Sequence, residues 1–65
     1  MGYKKYSDIG AARVMIDNIK RGYISSRNTA YRELFTIANE WPGTPEGREA
    51  ERLIDSEYSD QKYSS

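Results

Sequence analysis

The residues best suited to chemistry in this chain are its carboxylates, because the sequence contains neither histidine nor cysteine. Those two absences remove the commonest general base, a major nucleophile and most transition-metal ligand sets. The acidic residues Glu46, Glu49 and Glu57 fall on the solvent side of a predicted helix, with no glycine-rich phosphate loop or calcium-loop spacing around them. We therefore predict no catalytic residues, no metal site and no cofactor, and we expect a protein that acts by binding.

The most distinctive local pattern is YISSRNTAYR at residues 23–32. This segment resembles the turn and the reading helix of helix-turn-helix DNA-binding proteins, in which a capped helix presents polar side chains to base edges and phosphates. A capped first helical turn in solvent, with no role in DNA binding, has the same sequence signature. The residues that the resemblance assigns to DNA are Arg27, Asn28, Arg32, Lys20 and Arg21.

The chain is rich in aromatic residues, with six tyrosines and one tryptophan among 65 residues. A core this thin cannot bury all of them, and tyrosine is well suited to interfaces because it combines a rigid apolar ring with a hydroxyl that tolerates water. We expect Tyr6, Tyr23 and Tyr58 to cover the core and Trp41 to anchor the junction between the second and third helices. Tyr3 has no obvious place in the core, so it is a candidate for contact with a partner.

Opposite charges are segregated along the chain although the net charge is zero. Residues 1–32 carry seven basic and two acidic side chains, a net +5, whereas residues 33–65 carry three basic and eight acidic ones, a net −5. This pattern is typical of a basic binding face backed by an acidic segment, or of two charged surfaces that meet within the fold or between copies. Within the first helix, Arg13 and Asp17 are spaced to form a weak pair.

Apolar residues recur at steps of three and four, which predicts helices over about 7–21, 26–41 and 45–58. Ser7 is the expected N-cap of the first helix, and either serine at 25–26 is the expected cap of the second. Thr44 followed by Pro45 predicts the start of the third helix. Glycine at 22 and the Pro-Gly pair at 42–43 are expected to end the helices before them.

These elements predict a small all-α, three-helix bundle, with one helical domain over residues 1–58 and a mobile C-terminal tail over 59–65. No apolar run approaches the roughly 18 residues of a membrane-spanning helix, and no apolar stretch follows the first lysines as it would in a signal peptide. We therefore expect no membrane partner. A cytoplasmic location is the default expectation.

Taken together, these features predict a small, non-catalytic, regulatory interaction protein that docks on a larger macromolecule to modulate it. The expected partner is a protein, a homo-oligomer is a second option, and the alternative function is a helix-turn-helix-like transcription regulator that binds nucleic acid through the second helix. A fold completed only by a partner would also suit so short a chain. The acidic residues Glu49, Asp55 and Glu57 form a competing surface. The predicted partner-binding residues are Tyr3, Tyr6, Arg13, Arg27, Tyr31 and Arg32.

Overall fold

The computed structural model describes residues 4–64, and side chains are described as far as residue 61. Three main helices pack together into a compact all-α globule, and no strand occurs within the described residues. The prediction of a three-helix bundle is confirmed. The helices are α1 (Ile9–Lys20), α2 (Arg27–Glu40) and α3 (Pro45–Glu57), followed by a short α4 (Ser59–Ser64).

The helix boundaries follow local capping chemistry. Ser26 and Thr44 cap α2 and α3 as predicted, because their hydroxyls accept hydrogen bonds from the backbone N–H groups of Thr29 and Gly47. The prediction of Ser7 as the first cap is wrong. Asp8 is the N-cap: its backbone is extended, and its carboxylate accepts a hydrogen bond from the N–H of Gly10 at 3.1 Å. The helix therefore begins at Ile9, one residue later than it would with Ser7 as the cap.

The core lies where α1, α2 and α3 meet. Leu34 and Ile37 of α2 are its largest fully buried side chains, so α2 is the central element. Each main helix contributes one apolar stripe at helical spacing, and α2 packs most extensively against α3. The buried residues of the core are Tyr6, Ala12, Ile16, Ile19, Ala30, Leu34, Ile37, Ala50 and Ile54.

The turn between α2 and α3 holds the two helices unusually close at one point. Gly43 adopts a positive φ of 83°, a conformation that glycine tolerates and that lets the chain reverse directly after α2. The Thr44 hydroxyl then donates to the Trp41 carbonyl at 2.6 Å and accepts from Gly47 at 3.0 Å. Gly47 is buried beside that same carbonyl, in a space that leaves no room for a β-carbon.

Residues 59–64 form the short helix α4, which the sequence analysis did not predict. The guanidinium of Arg27 connects this segment to α2, with hydrogen bonds to the Glu57 carbonyl at 2.7 Å and to Asp60 at 2.6 Å. The same guanidinium lies over the ring of Tyr58, 4.7 Å from its centroid. These contacts are made by polar and aromatic groups, so the apolar periodicity used to predict helices does not detect them. The mobility of residues 59–65 stays a prediction.

None of the helices in the described part of the chain is both long and apolar enough to cross a membrane.

Candidate functional site

An open groove of about 270 Å³ runs between α2 and α3 on the surface of the bundle. Tyr31, Phe35 and Ala38 line it from α2, and Ile54 lines it from α3. Polar side chains form its edges. We call this feature the α2–α3 groove, and the described residues that line it are Tyr31, Phe35, Ala38, Asn39, Glu51, Ile54 and Asp55.

The groove exists because the apolar face of α2 is wider than its neighbours in the fold can cover. Leu34 and Ile37 are fully buried, whereas Phe35, on the flank of the same face, remains 51% exposed. Tyr31 lies one turn before Phe35, and their ring centroids are 6.0 Å apart with a tilt of 31° between the planes. The two rings form a continuous aromatic wall that is partly in water.

The α3 side of the groove is acidic. Glu51 and Asp55 both line it and are spaced four residues apart, which places them on one face of the helix, one turn from each other. Glu51 makes no ion pair with any residue whose side chain the structure describes. On the α2 side, the groove residue Asn39 is neutral. The groove therefore combines an aromatic wall with negative charge on one edge.

A different set of contacts anchors the N-terminal segment to α2. The Glu40 carboxylate accepts from the backbone N–H groups of Lys5 at 2.6 Å and Tyr6 at 2.8 Å. The Trp41 indole N–H donates to the Tyr6 carbonyl at 2.7 Å. The Tyr6 hydroxyl donates to Glu33, which also pairs with Lys5 at 2.7 Å. Tyr6 is only 7% exposed, so the structure places this predicted partner-binding residue in the core.

Burial and the neighbouring carboxylate shift the ionisation of this cluster. The pKa of Tyr6 is raised well above its ordinary value, first by burial and then by its hydrogen bond to Glu33 and the negative charges nearby. Burial also works to raise the pKa of Glu33, but the hydrogen bonds from Lys5 and Tyr6 outweigh it and hold that pKa below its ordinary value. The cluster is therefore a neutral phenol bonded to an ionised carboxylate at neutral pH.

The segregated charges of the sequence meet within the fold. Four ion pairs among the described residues join the basic first half of the chain to the acidic second half, at distances of 2.6–3.2 Å. Arg13 binds Glu46 rather than Asp17, so the predicted Arg13–Asp17 pair is wrong, and its hydrogen bond to Glu46 lowers the pKa of that carboxyl. The four pairs are Lys5–Glu33, Arg13–Glu46, Lys20–Glu49 and Arg27–Asp60.

The residues assigned to DNA by the helix-turn-helix resemblance divide into two groups. Arg27, Lys20 and Arg21 each form an ion pair, with Asp60, Glu49 and Asp17 respectively. Asn28 and Arg32 are exposed on α2. A DNA phosphate would have to compete with a carboxylate for three of the five side chains. The DNA-binding alternative stays a prediction.

The remaining aromatic predictions have different outcomes. Tyr58 and Trp41 are half-buried and pack against the core, and Lys4 lies over the Trp41 ring, 3.8 Å from its centroid. The expectation that Tyr23 covers the core is wrong. Tyr23 is 68% exposed and directly follows Gly22, where the backbone has a positive φ of 83°. Tyr3 lies outside the described residues.

Of the predicted partner-binding residues that the structure describes, only Tyr31 lies in the α2–α3 groove. The acidic residues of the competing surface are also separated. Asp55 lines the groove, while Glu49 faces α1, where it binds Lys20 at 3.2 Å. Phe35 and Glu51 are not among the site residues predicted from the sequence. A usable signal was present, since Phe35 belongs to a second apolar stripe that broadens the face of α2.

The chain matches no protein-family model, and neither a curated protein nor a solved structure is significantly similar to it. Among the described residues, no group of three or more acidic, histidine or cysteine side chains could hold a metal ion. The α2–α3 groove and the charges around it are therefore the features of the molecule that bear on its function.

Proposed function

We propose that this protein is a non-catalytic interaction module that docks on a protein partner through the α2–α3 groove. The observation that carries the proposal is the half-exposed ring of Phe35 beside Tyr31 on the central helix. Aromatic side chains in a concave, partly apolar surface are typical anchors of protein interfaces, where they contribute a large share of the binding energy.

The distribution of ion pairs supports this choice of surface. The basic residues Arg13 and Arg27 are predicted to bind a partner, but they already form ion pairs with Glu46 and Asp60, respectively. Displacing those carboxylates would cost a partner part of the binding energy it gains. Phe35, by contrast, buries additional apolar area on contact without breaking an ion pair. Docking in the groove therefore need not break either of these ion pairs.

The proposal is tested by affinity capture from native lysate with matched variants, after nuclease treatment. Wild-type protein should retain a stoichiometric protein partner, and Phe35→Ser should lose it. Tyr23→Ser is the matched control, because it also removes an exposed aromatic ring but lies outside the groove. The control variant should retain the partner at the wild-type level.

Two results would contradict this function. Retention of the partner by Phe35→Ser would show that docking occurs elsewhere on the molecule. Recovery of nucleic acid, or of proteins that disappear on nuclease treatment, would favour the helix-turn-helix alternative. Light scattering of the purified protein over a range of concentrations separates a second copy of the chain from a different partner, since only self-association would raise the mass.

A further inference from the structure

We infer that the partner segment bound in the α2–α3 groove is a basic amphipathic helix, with a Lys or Arg side chain on the edge that faces Glu51 of α3. This inference rests on the proposed docking function and specifies its ligand. It is carried by two features of the groove: the acidic edge formed by Glu51 and Asp55, and the length of the apolar wall.

The apolar wall fits about two turns of helix. Tyr31 and Ala38 are seven residues apart on α2, which corresponds to roughly 10 Å along the helix axis. Phe35 lies between them. A ligand helix with apolar residues at positions i, i+3 or i+4, and i+7 presents a stripe of the same length, so it can pack along the wall as a third helix beside α2 and α3.

The acidic edge determines the charge of the ligand. Glu51 lies on this edge, so a cation at the matching position of a ligand helix would meet its carboxylate. Glu51 makes no ion pair with the described side chains, and its charge is available without displacing one of them. The neutral Asn39 on the other side restricts this attraction to one edge, which fixes the rotation of the ligand helix.

Fluorescence anisotropy with three labelled 14-residue peptides tests the inference. All three carry leucines at i, i+3 and i+7, and they differ only in one edge residue, which is Lys, Gln or Glu. Circular dichroism must show equal helicity. The Lys peptide should bind about tenfold more tightly than the Glu peptide at low salt, with the Gln peptide between them, and added salt should reduce the difference.

Protein variants assign the effect to the groove. Glu51→Lys should reverse the order of the Lys and Glu peptides, and Phe35→Ala should weaken all three by about tenfold. The matched control is Glu57→Lys, which makes the same charge change on α3 but faces the α1 side, where Glu57 lies near Lys20 and Leu53. This control should keep the wild-type order. Urea unfolding must show that each variant is folded.

The outcomes separate this inference from the proposed function. Equal affinity for the three peptides, with all of them weakened by Phe35→Ala, would overturn the basic ligand and support docking in the groove. A lack of binding by all three would overturn a helical ligand. The docking function fails on a different result, which is capture of the natural partner by Phe35→Ser.

Discussion

Substitution of Gly47 by alanine should destabilise the protein, although the same change in an ordinary helix is stabilising. A β-carbon built at Gly47 would lie 2.0 Å from the Trp41 carbonyl oxygen and 2.9 Å from its carbon. Both are backbone atoms of the turn that joins α2 to α3, so neither can rotate out of the way. The turn would have to move by more than about 1 Å to reach an ordinary contact distance.

The size of the effect follows from three contributions. Alanine is favoured over glycine in a helix by about 1 kcal/mol. Overpacking against backbone costs about 1–3 kcal/mol. Moving the Trp41 carbonyl also disturbs its 2.6 Å hydrogen bond with Thr44, the N-cap of α3, and loss of a cap costs about 1 kcal/mol. The net expectation is a loss of about 1–3 kcal/mol in the free energy of unfolding.

Urea unfolding followed by the fluorescence of Trp41, the only tryptophan, measures this change. If the free energy of unfolding falls by about 1 kcal/mol per molar urea, the urea concentration at the unfolding midpoint should be about 1–3 M lower for Gly47→Ala than for wild type. Gly10→Ala in α1 is the matched control, because its β-carbon would make only ordinary contacts, the nearest at 3.5 Å from Asp8. That variant should be about 0.5–1 kcal/mol more stable than wild type. Equal stabilisation by both substitutions would refute the close approach at Gly47.

Three further predictions concern the core, the N-terminal contacts and the DNA alternative. Leu34→Ala should cost about 2–5 kcal/mol, measured by thermal unfolding, because Leu34 is fully buried; a loss below about 1 kcal/mol would contradict its central place. The hydrogen bonds from Lys5 and Tyr6 outweigh burial and hold the pKa of Glu33 below its ordinary value, so its stabilising contribution is present at neutral pH and disappears as the pH falls through that lowered value. Urea unfolding should therefore show Glu33→Gln to be less stable than wild type at pH 7, and the difference in their free energies of unfolding should become smaller in acid. A difference that does not change with pH would argue against the ionised carboxylate. If α2 binds DNA, Arg32→Ala should reduce the slope of log K against log salt concentration by about one unit for a mixed-sequence duplex. Arg27→Ala should reduce that slope by less, because Arg27 already pairs with Asp60. Binding that does not depend on salt would exclude this role.

The main helices could be predicted because their determinants are local. The spacing of apolar residues in α2 and the Thr44-Pro45 start of α3 depend only on neighbours in the sequence, and both predictions are confirmed. The first cap was harder, since Ser7 and Asp8 are adjacent and both can cap. The choice of Asp8 depends on where the preceding segment is anchored, and that is a tertiary property.

The candidate site could be predicted only in part because it depends on contacts between distant residues. Sequence periodicity shows that Phe35 is apolar and on a helix, but not that α1 and α3 leave it exposed. Within one turn of Arg13 the sequence offers one acidic partner, Asp17, while its actual partner Glu46 is 33 residues away. Tyr6 was difficult for the same reason, because Glu33 and Glu40 bring it into the core from outside any helix.

The four ion pairs between the two halves of the chain bear on its biosynthesis. Residues 1–32, with a net charge of +5, are synthesised before the four carboxylates that pair with Lys5, Arg13, Lys20 and Arg27 in the fold. We expect a cationic segment whose carboxylate partners are not yet in place to be attracted to polyanions such as ribosomal RNA. Pairing with those carboxylates would then compete with that attraction, so the contacts that complete the fold would also lower the affinity of the first half of the chain for a polyanion.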